Sequence, residues 1–254
     1  MRNNWRREEL ILAFNLYCKL PYGQFNNRNT DVKVLAEIIG RTPGAVAYKL
    51  VNFVSLDPRQ KLLGRKGATN IGKLDRDIFR EFTENFDEMF LESERLLDEK
   101  LIIEKPIKNI DDLIDETKTG EYRIRETKVR QNQDYFRTIV MSNYSNNCAI
   151  TGIGIAELLI ASHIKPWAKD ENNRLNPANG ICLSATLDKA FDKGLITINN
   201  EYKIVFSSKI KKFSKEVFYE VELRRFENRQ IILPIKFLPN EEFLKYHNDA
   251  VFLH

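Results

Sequence analysis

His163 is one of three histidines in a chain of 254 residues, and it stands three residues before Pro166 and sixteen before Asn179. Beyond them lie Asp188 and Asp192, four apart in TLDKAFDKG, a segment that reads as a short helix closed by Gly194. Residues i and i+4 of a helix share a face. Two carboxylates on one face suit an oxygen-preferring cation. A neutral histidine beside them can take a proton from water, and a divalent ion on a phosphate can offset charge on a leaving 3′ oxygen. These residue types point to metal-assisted hydrolysis of a phosphodiester. Each piece alone has a plainer reading, a hydrogen-bonded structural histidine or a solvated acidic helix face; it is the combined order and spacing that favour a site.

The elements that would position these groups are legible around them. LLIASHI reads as a strand ending near His163, GICLSA as a second strand, and LITINNEYKIVFS as a β-hairpin turned at Asn199-Asn200. RQIILPIKFLP adds a strand and NEEFLKYHNDAVF a last helix. Upstream, a stretch opening with Arg123, Arg125, Lys128 and Arg130 continues into a helix whose inner side carries Tyr135, Phe136, Ile139 and Val140.

The first third of the chain reads as helical. Leu10, Ala13, Phe14 and Tyr17 predict an amphipathic helix over 5–19. Leu35, Ile38 and Ile39 line a second helix that Gly40 ends, and Thr42-Pro43 are the N-cap and first turn of a third. Ala36, Gly40 and Val46 sit where helix-turn-helix units keep a small residue, a turn glycine and a buried aliphatic, which leaves Gly44, Tyr48, Lys49 and Asn52 on the outer face. The pattern fits a DNA-docking helix and an ordinary αα-hairpin alike. A following loop with Arg59, Lys61, Arg65, Lys66, Lys73 and Arg76 suits phosphate contact, or is a solvated basic loop. Phe79, Phe82, Phe86 and Phe90 then recur at helical spacing through an acidic stretch of one or two helices, before a connector, KPIKNIDDLIDETKTG.

Charge follows the same division. Residues 1–80 carry 15 Lys/Arg against 7 Asp/Glu, residues 81–120 carry 5 against 13, and residues 121–254 carry 20 against 16. A basic surface of this kind meets polyanions. The expected organisation is a basic, helix-turn-helix-like DNA-binding domain at 1–80, an acidic helical connector at 81–120, and a domain at 121–254 that holds the site, with a boundary near 118–124. No stretch approaches the roughly 18 apolar residues of a membrane span, and the N-terminus lacks a signal-peptide core, so a cytoplasmic protein without a membrane partner is expected. Cys18, Cys148 and Cys182 form no CxxC pair, which predicts reduced thiols and no structural zinc.

CAITG, ASHIKPW, RLNPANGICLSA and DKAFDKGLITI together resemble the HNH endonuclease family, and more narrowly bacterial HNH proteins classed as restriction endonucleases; GRTPGAVAYKLVNFVSLDP looks like the helical front half of such proteins. The resemblance implies an α+β chain with a helical N-terminal DNA-contacting domain and a C-terminal HNH β-β-α metal nuclease domain. It implies His163 as general base and Asn179 as the brace of the loop that orients it. Asp188 takes the place of the family's final histidine or asparagine, a catalytic metal ligand, and Asp192 matches a second metal position of some members. Ser162 departs from the pattern, because many members carry an aspartate or histidine ligand there, and this implies weaker metal affinity. Carboxylate ligands favour Mg²⁺ or Mn²⁺, and single Cys148 and Cys182 leave core packing to do what zinc knuckles do elsewhere.

Tyr48, Lys49, Asn52, Arg65, Lys66, Lys165 and Lys193 are the candidate DNA contacts, with Arg174 and Lys189 in the same region as His163, and Trp167 reads as core. The expected activity is that of a type II-like restriction enzyme cutting double-stranded DNA as a homodimer. The alternatives are a low-specificity or modification-dependent HNH nuclease, and a catalytically inactive DNA-binding regulator.

Overall fold

Helix α1 (Arg7–Lys19) is buried continuously from Glu9 to Cys18. It is therefore not the two-sided helix that its Leu10, Ala13, Phe14 and Tyr17 spacing predicts, because an element packed on all sides needs no polar face. Its neighbours are α2 (Thr30–Ile38), α3 (Pro43–Leu56), α5 (Lys73–Glu84) and α6 (Phe86–Glu104), with the short α4 (Pro58–Leu62) following α3. Phe14 sits at the centre, edge-on to Phe53 at 4.9 Å and to Phe79 at 5.5 Å, and tilted on Phe82 at 4.4 Å. The computed structural model describes residues 4–69, 71–104 and 120–254, with backbone only at 102–104 and 120–131. The connector at 105–119 and the side chains of Arg123, Arg125, Lys128 and Arg130 lie outside the described residues.

Local chemistry sets the helix ends, at Gly40 and Thr42-Pro43 as the sequence predicts. Asn29 Oδ1 accepts from the backbone N–H of Asp31 and Val32 at the start of α2, and Gly40, at φ +64°, closes it. Thr42 Oγ1 accepts from Ala45 N–H ahead of Pro43. The helix, turn, helix arrangement is present. Its second helix, however, turns Lys49 and Asn52 inward: they are 8% and 3% exposed, and both bond Asp75 of α5.

Contacts divide the chain into two units, Met1–Tyr135 and Phe136–His254. The acidic segment read as a connector supplies α6, which packs on α1 and α5 within the first unit. Helix α7 (Gly120–Asn143) runs through the division. In the second unit β1 (Leu159–His163) pairs antiparallel with β2 (Gly180–Ser184), α8 (Ala185–Asp192) packs on both, and β3 (Ile196–Ile198) pairs with β4 (Ile204–Phe206). The hairpin turn spans more than Asn199-Asn200, since Asn199 Oδ1 accepts from the N–H groups of Glu201 and Lys203 and its own N–H donates to Lys203 O. After α9 (Ser208–Lys211), the expected strand in RQIILPIKFLP is a single bridge, Lys203 to Gln230, because Pro234 and Pro239 lack the N–H a ladder needs.

The terminal helix α10 (Glu241–Ala250) begins on an Asn240 cap and docks through His247. That imidazole is 1% exposed, stacked on Phe191 at 3.7 Å, and bonded at Nε2 to Phe191 O and at Nδ1 to Thr197 Oγ1. A carbonyl only accepts, so Nε2 carries the proton and Nδ1 accepts from the Thr197 hydroxyl. Burial pushes this histidine from an ordinary 6.5 down to about 4. The unfolded chain then binds the proton more readily, so His247 contributes stability above pH 6.5 that is lost as pH falls towards 4, up to about 3 kcal/mol. Urea unfolding between pH 7 and pH 4.5 checks this: the wild-type midpoint should fall more steeply with acid than that of His247→Gln.

Candidate active site

β1 ends on His163, and the segment from Ile164 to Asn179 carries the chain back to β2 through three single turns of 3₁₀ helix, at Trp167–Lys169, Glu171–Asn173 and Pro177–Asn179. Asn179, 1% exposed, holds this loop by every polar atom of its side chain. Its Oδ1 accepts from Lys165 N–H at 2.8 Å, and its Nδ2 donates to Lys165 O and Asn173 O, each at 3.1 Å. Its backbone carbonyl accepts from Ile164 N–H at 2.9 Å. These bonds fix the loop, and it is the loop that bonds the His163 ring.

That loop supplies Arg174 O, which lies 2.9 Å from His163 Nε2. Because a carbonyl cannot donate, Nε2 bears the hydrogen and the lone pair of the neutral ring is on Nδ1. Burial lowers the histidine below its ordinary value, partly offset by the Arg174 carbonyl, so the neutral ring dominates at pH 7. Two aromatic rings flank it. Phe136 is stacked on the imidazole at 3.8 Å and 11°, and Trp167 meets it edge-on at 5.5 Å and 88°. Trp167, half-exposed, also lies under the Arg174 guanidinium at 5.2 Å.

Asp188 and Asp192 are both on α8, and neither carboxylate makes a hydrogen bond or ion pair with a described residue. Partial desolvation, and next the charge of Asp188, raise Asp192 above its ordinary value, against the opposing pull of Lys189 and Lys193. Two carboxylates on one helix face present the oxygen ligands that hard divalent cations take. Among the described residues no three His, Cys, Asp or Glu side chains converge as a metal-binding group, so His163, Asp188 and Asp192 are not gathered as three ligands of one ion. Ser162 is 2% exposed, and its Oγ finds no hydrogen-bond partner among the described residues.

The remaining candidates separate by exposure. Tyr48 is 57% exposed, and Lys66 and Lys193 lie open to solvent. Lys49 and Asn52 do not present an outer face, because Asp75 holds both beneath it. Arg65 donates to Gln60 Oε1 and lies over Tyr22, while Lys165 pairs with Asp170 at 2.9 Å and lies over Tyr246. Spacing along the chain misses these pairings, as it misses the roles of Phe136 and of the Arg174 carbonyl. The only trace of Phe136 is its place on the inner side of its helix. The two thiols of the second unit are buried: Cys148 Sγ accepts from Ser184 N–H, and burial, then the neighbouring Cys148, pushes Cys182 up to about 12.

Residues 148–199 match the family model described as HNH endonuclease, a span that runs from Cys148 through both strands, His163, Asn179, Asp188 and Asp192 to Asn199. No curated protein matches the chain. Among the described residues no helix is long and apolar enough to cross a membrane.

Proposed function

We propose, from the match of residues 148–199 to the HNH endonuclease family model, that the chain hydrolyses phosphodiester bonds of double-stranded DNA as a restriction enzyme. The observation that carries this reading is the His163 ring, neutral by burial and held by the Arg174 carbonyl so that Nδ1 is the basic atom.

In the proposed reaction, Nδ1 of His163 takes a proton from a water molecule as its oxygen attacks phosphorus, and the bond from phosphorus to the 3′ oxygen breaks. The resulting imidazolium keeps its Nε2–H on Arg174 O, which favours the charged ring at that moment. Asn179 keeps the backbone at Lys165 and Asn173 in place, and with it the loop that carries the carbonyl. Asp188 and Asp192 would hold a divalent cation, Mg²⁺ or Mn²⁺, which supplies positive charge to offset that on the phosphate and the departing oxygen. Lys193 beside them, and Tyr48 and Lys66 in the helical unit, are exposed and suited to DNA backbone contact. Cutting both strands calls for two such sites, which favours a homodimer.

Sequencing the ends produced from plasmids with and without base methylation tests the specificity part. A restriction enzyme gives discrete fragments with one shared end sequence, whereas a smear from all plasmids points to a low-specificity nuclease, and fragments from methylated plasmid alone to a modification-dependent one. Asp188→Ala with Asp192→Ala should lower the rate at least about 100-fold at fixed Mg²⁺, on the scale of losing one source of transition-state charge stabilisation. Unchanged cleavage by that double variant would remove the cation from this site.

A further inference from the structure

We propose that Phe136 positions His163, and that position 180 is glycine because Val140 and the Phe136 ring together occupy the space a side chain there would fill. This rests on the reading of His163 as the base. His163 and Gly180 are direct partners across the β1–β2 ladder, and directly opposed residues project to the same face of a hairpin. A Cβ built on Gly180 would meet Val140 Cγ2, and would lie 2.9 Å from Phe136 Cζ and 3.2 Å from Phe136 Cε2. The ring therefore lies over the bare backbone of residue 180 and reaches across the pair to stack on the imidazole at 3.8 Å.

A flat neighbour parallel to within 11° stops the imidazole from tilting, but it permits a half-turn about Cβ–Cγ that would exchange Nδ1 with Cδ2 and Nε2 with Cε1. The bond from Nε2 to Arg174 O forbids that exchange. Trp167, at right angles to the ring, limits sideways movement. The stack and the hydrogen bond thus set different degrees of freedom, and both are needed to aim Nδ1. Phe136 is 2% exposed, so its ring is itself held by packing.

Phe136→Leu keeps an apolar side chain while removing the flat face, and Gly180→Ala crowds Val140 and the edge of that ring together. Two readouts separate positioning from bulk stability. The first is the proton spectrum of the His163 ring in the wild-type chain, where stacking on Phe136 should move the ring protons upfield of their random-coil positions, and Phe136→Leu should abolish that displacement. The second is cleavage at saturating DNA: kcat should fall about 10- to 100-fold in either variant, the scale expected of a misplaced reacting group, with KM unchanged. Because residue 180 and the Phe136 ring are in contact, the losses of the two single variants should not simply add in the double variant. His163 ring protons at random-coil positions in the wild type would overturn the proposal, and so would a folded Phe136→Leu variant with wild-type kcat. An upfield-shifted ring in a wild-type chain that cuts no DNA would support the placement and overturn the nuclease reading.

Discussion

His163→Ala is expected to slow DNA cleavage by about 10²- to 10⁴-fold, the usual contribution of a positioned general base, while leaving DNA affinity close to wild type. The substitution removes the one imidazole in the HNH span and leaves Asn179, Arg174 O and the α8 carboxylates in place. A drop in single-turnover rate with an unchanged binding isotherm is the signature of a group that acts on the transition state alone. His163→Ala with the wild-type rate would show that the proton leaves water by another route.

Asp75→Ala is expected to cost about 3–5 kcal/mol of stability, the range for leaving a buried charge without its partner. Lys49 Nζ lies 2.8 and 3.0 Å from the two Asp75 oxygens, and neither residue is more than 8% exposed. Asp75 also accepts from Asn52 Nδ2 at 3.2 Å and from Gly72 N–H at 3.1 Å, so alanine there strands an ammonium, an amide and the first turn of α5 together. Replacing Lys49 and Asp75 together with apolar residues of similar size should recover most of the loss, since removing a buried pair as a unit is often neutral. Urea titration followed by helical circular dichroism measures all three. A loss below about 1 kcal/mol for Asp75→Ala would place the pair among weak surface bridges instead.

Local signals made much of the second unit readable. A cap, a closing glycine and strand-length apolar runs announced β1, β2, α8 and α10 because each depends on residues within one turn of itself. Asn179 and His163 were legible as a pair for the same reason, since the loop between them is short. Tertiary pairing was not legible. Lys49 and Asn52 sit on what spacing alone makes an outer face, and only Asp75, 26 and 23 residues further on, turns them into core. Phe136 reaches His163 across 27 residues of sequence, and a stacking distance leaves no periodic mark. In α1 the apolar spacing gave the helix but not its surroundings, because burial on every side comes from the number of helices packed around it.

Incubation of supercoiled plasmid with the full chain in Mg²⁺, beside the same reaction in EDTA, bears most directly on the claim that this chain is a metal-dependent DNA hydrolase. Nicked and linear DNA with 5′-phosphate and 3′-hydroxyl ends, formed in Mg²⁺ and not in EDTA, is the expected result. Plasmid left supercoiled in both Mg²⁺ and Mn²⁺, or cut equally well in EDTA, would contradict it.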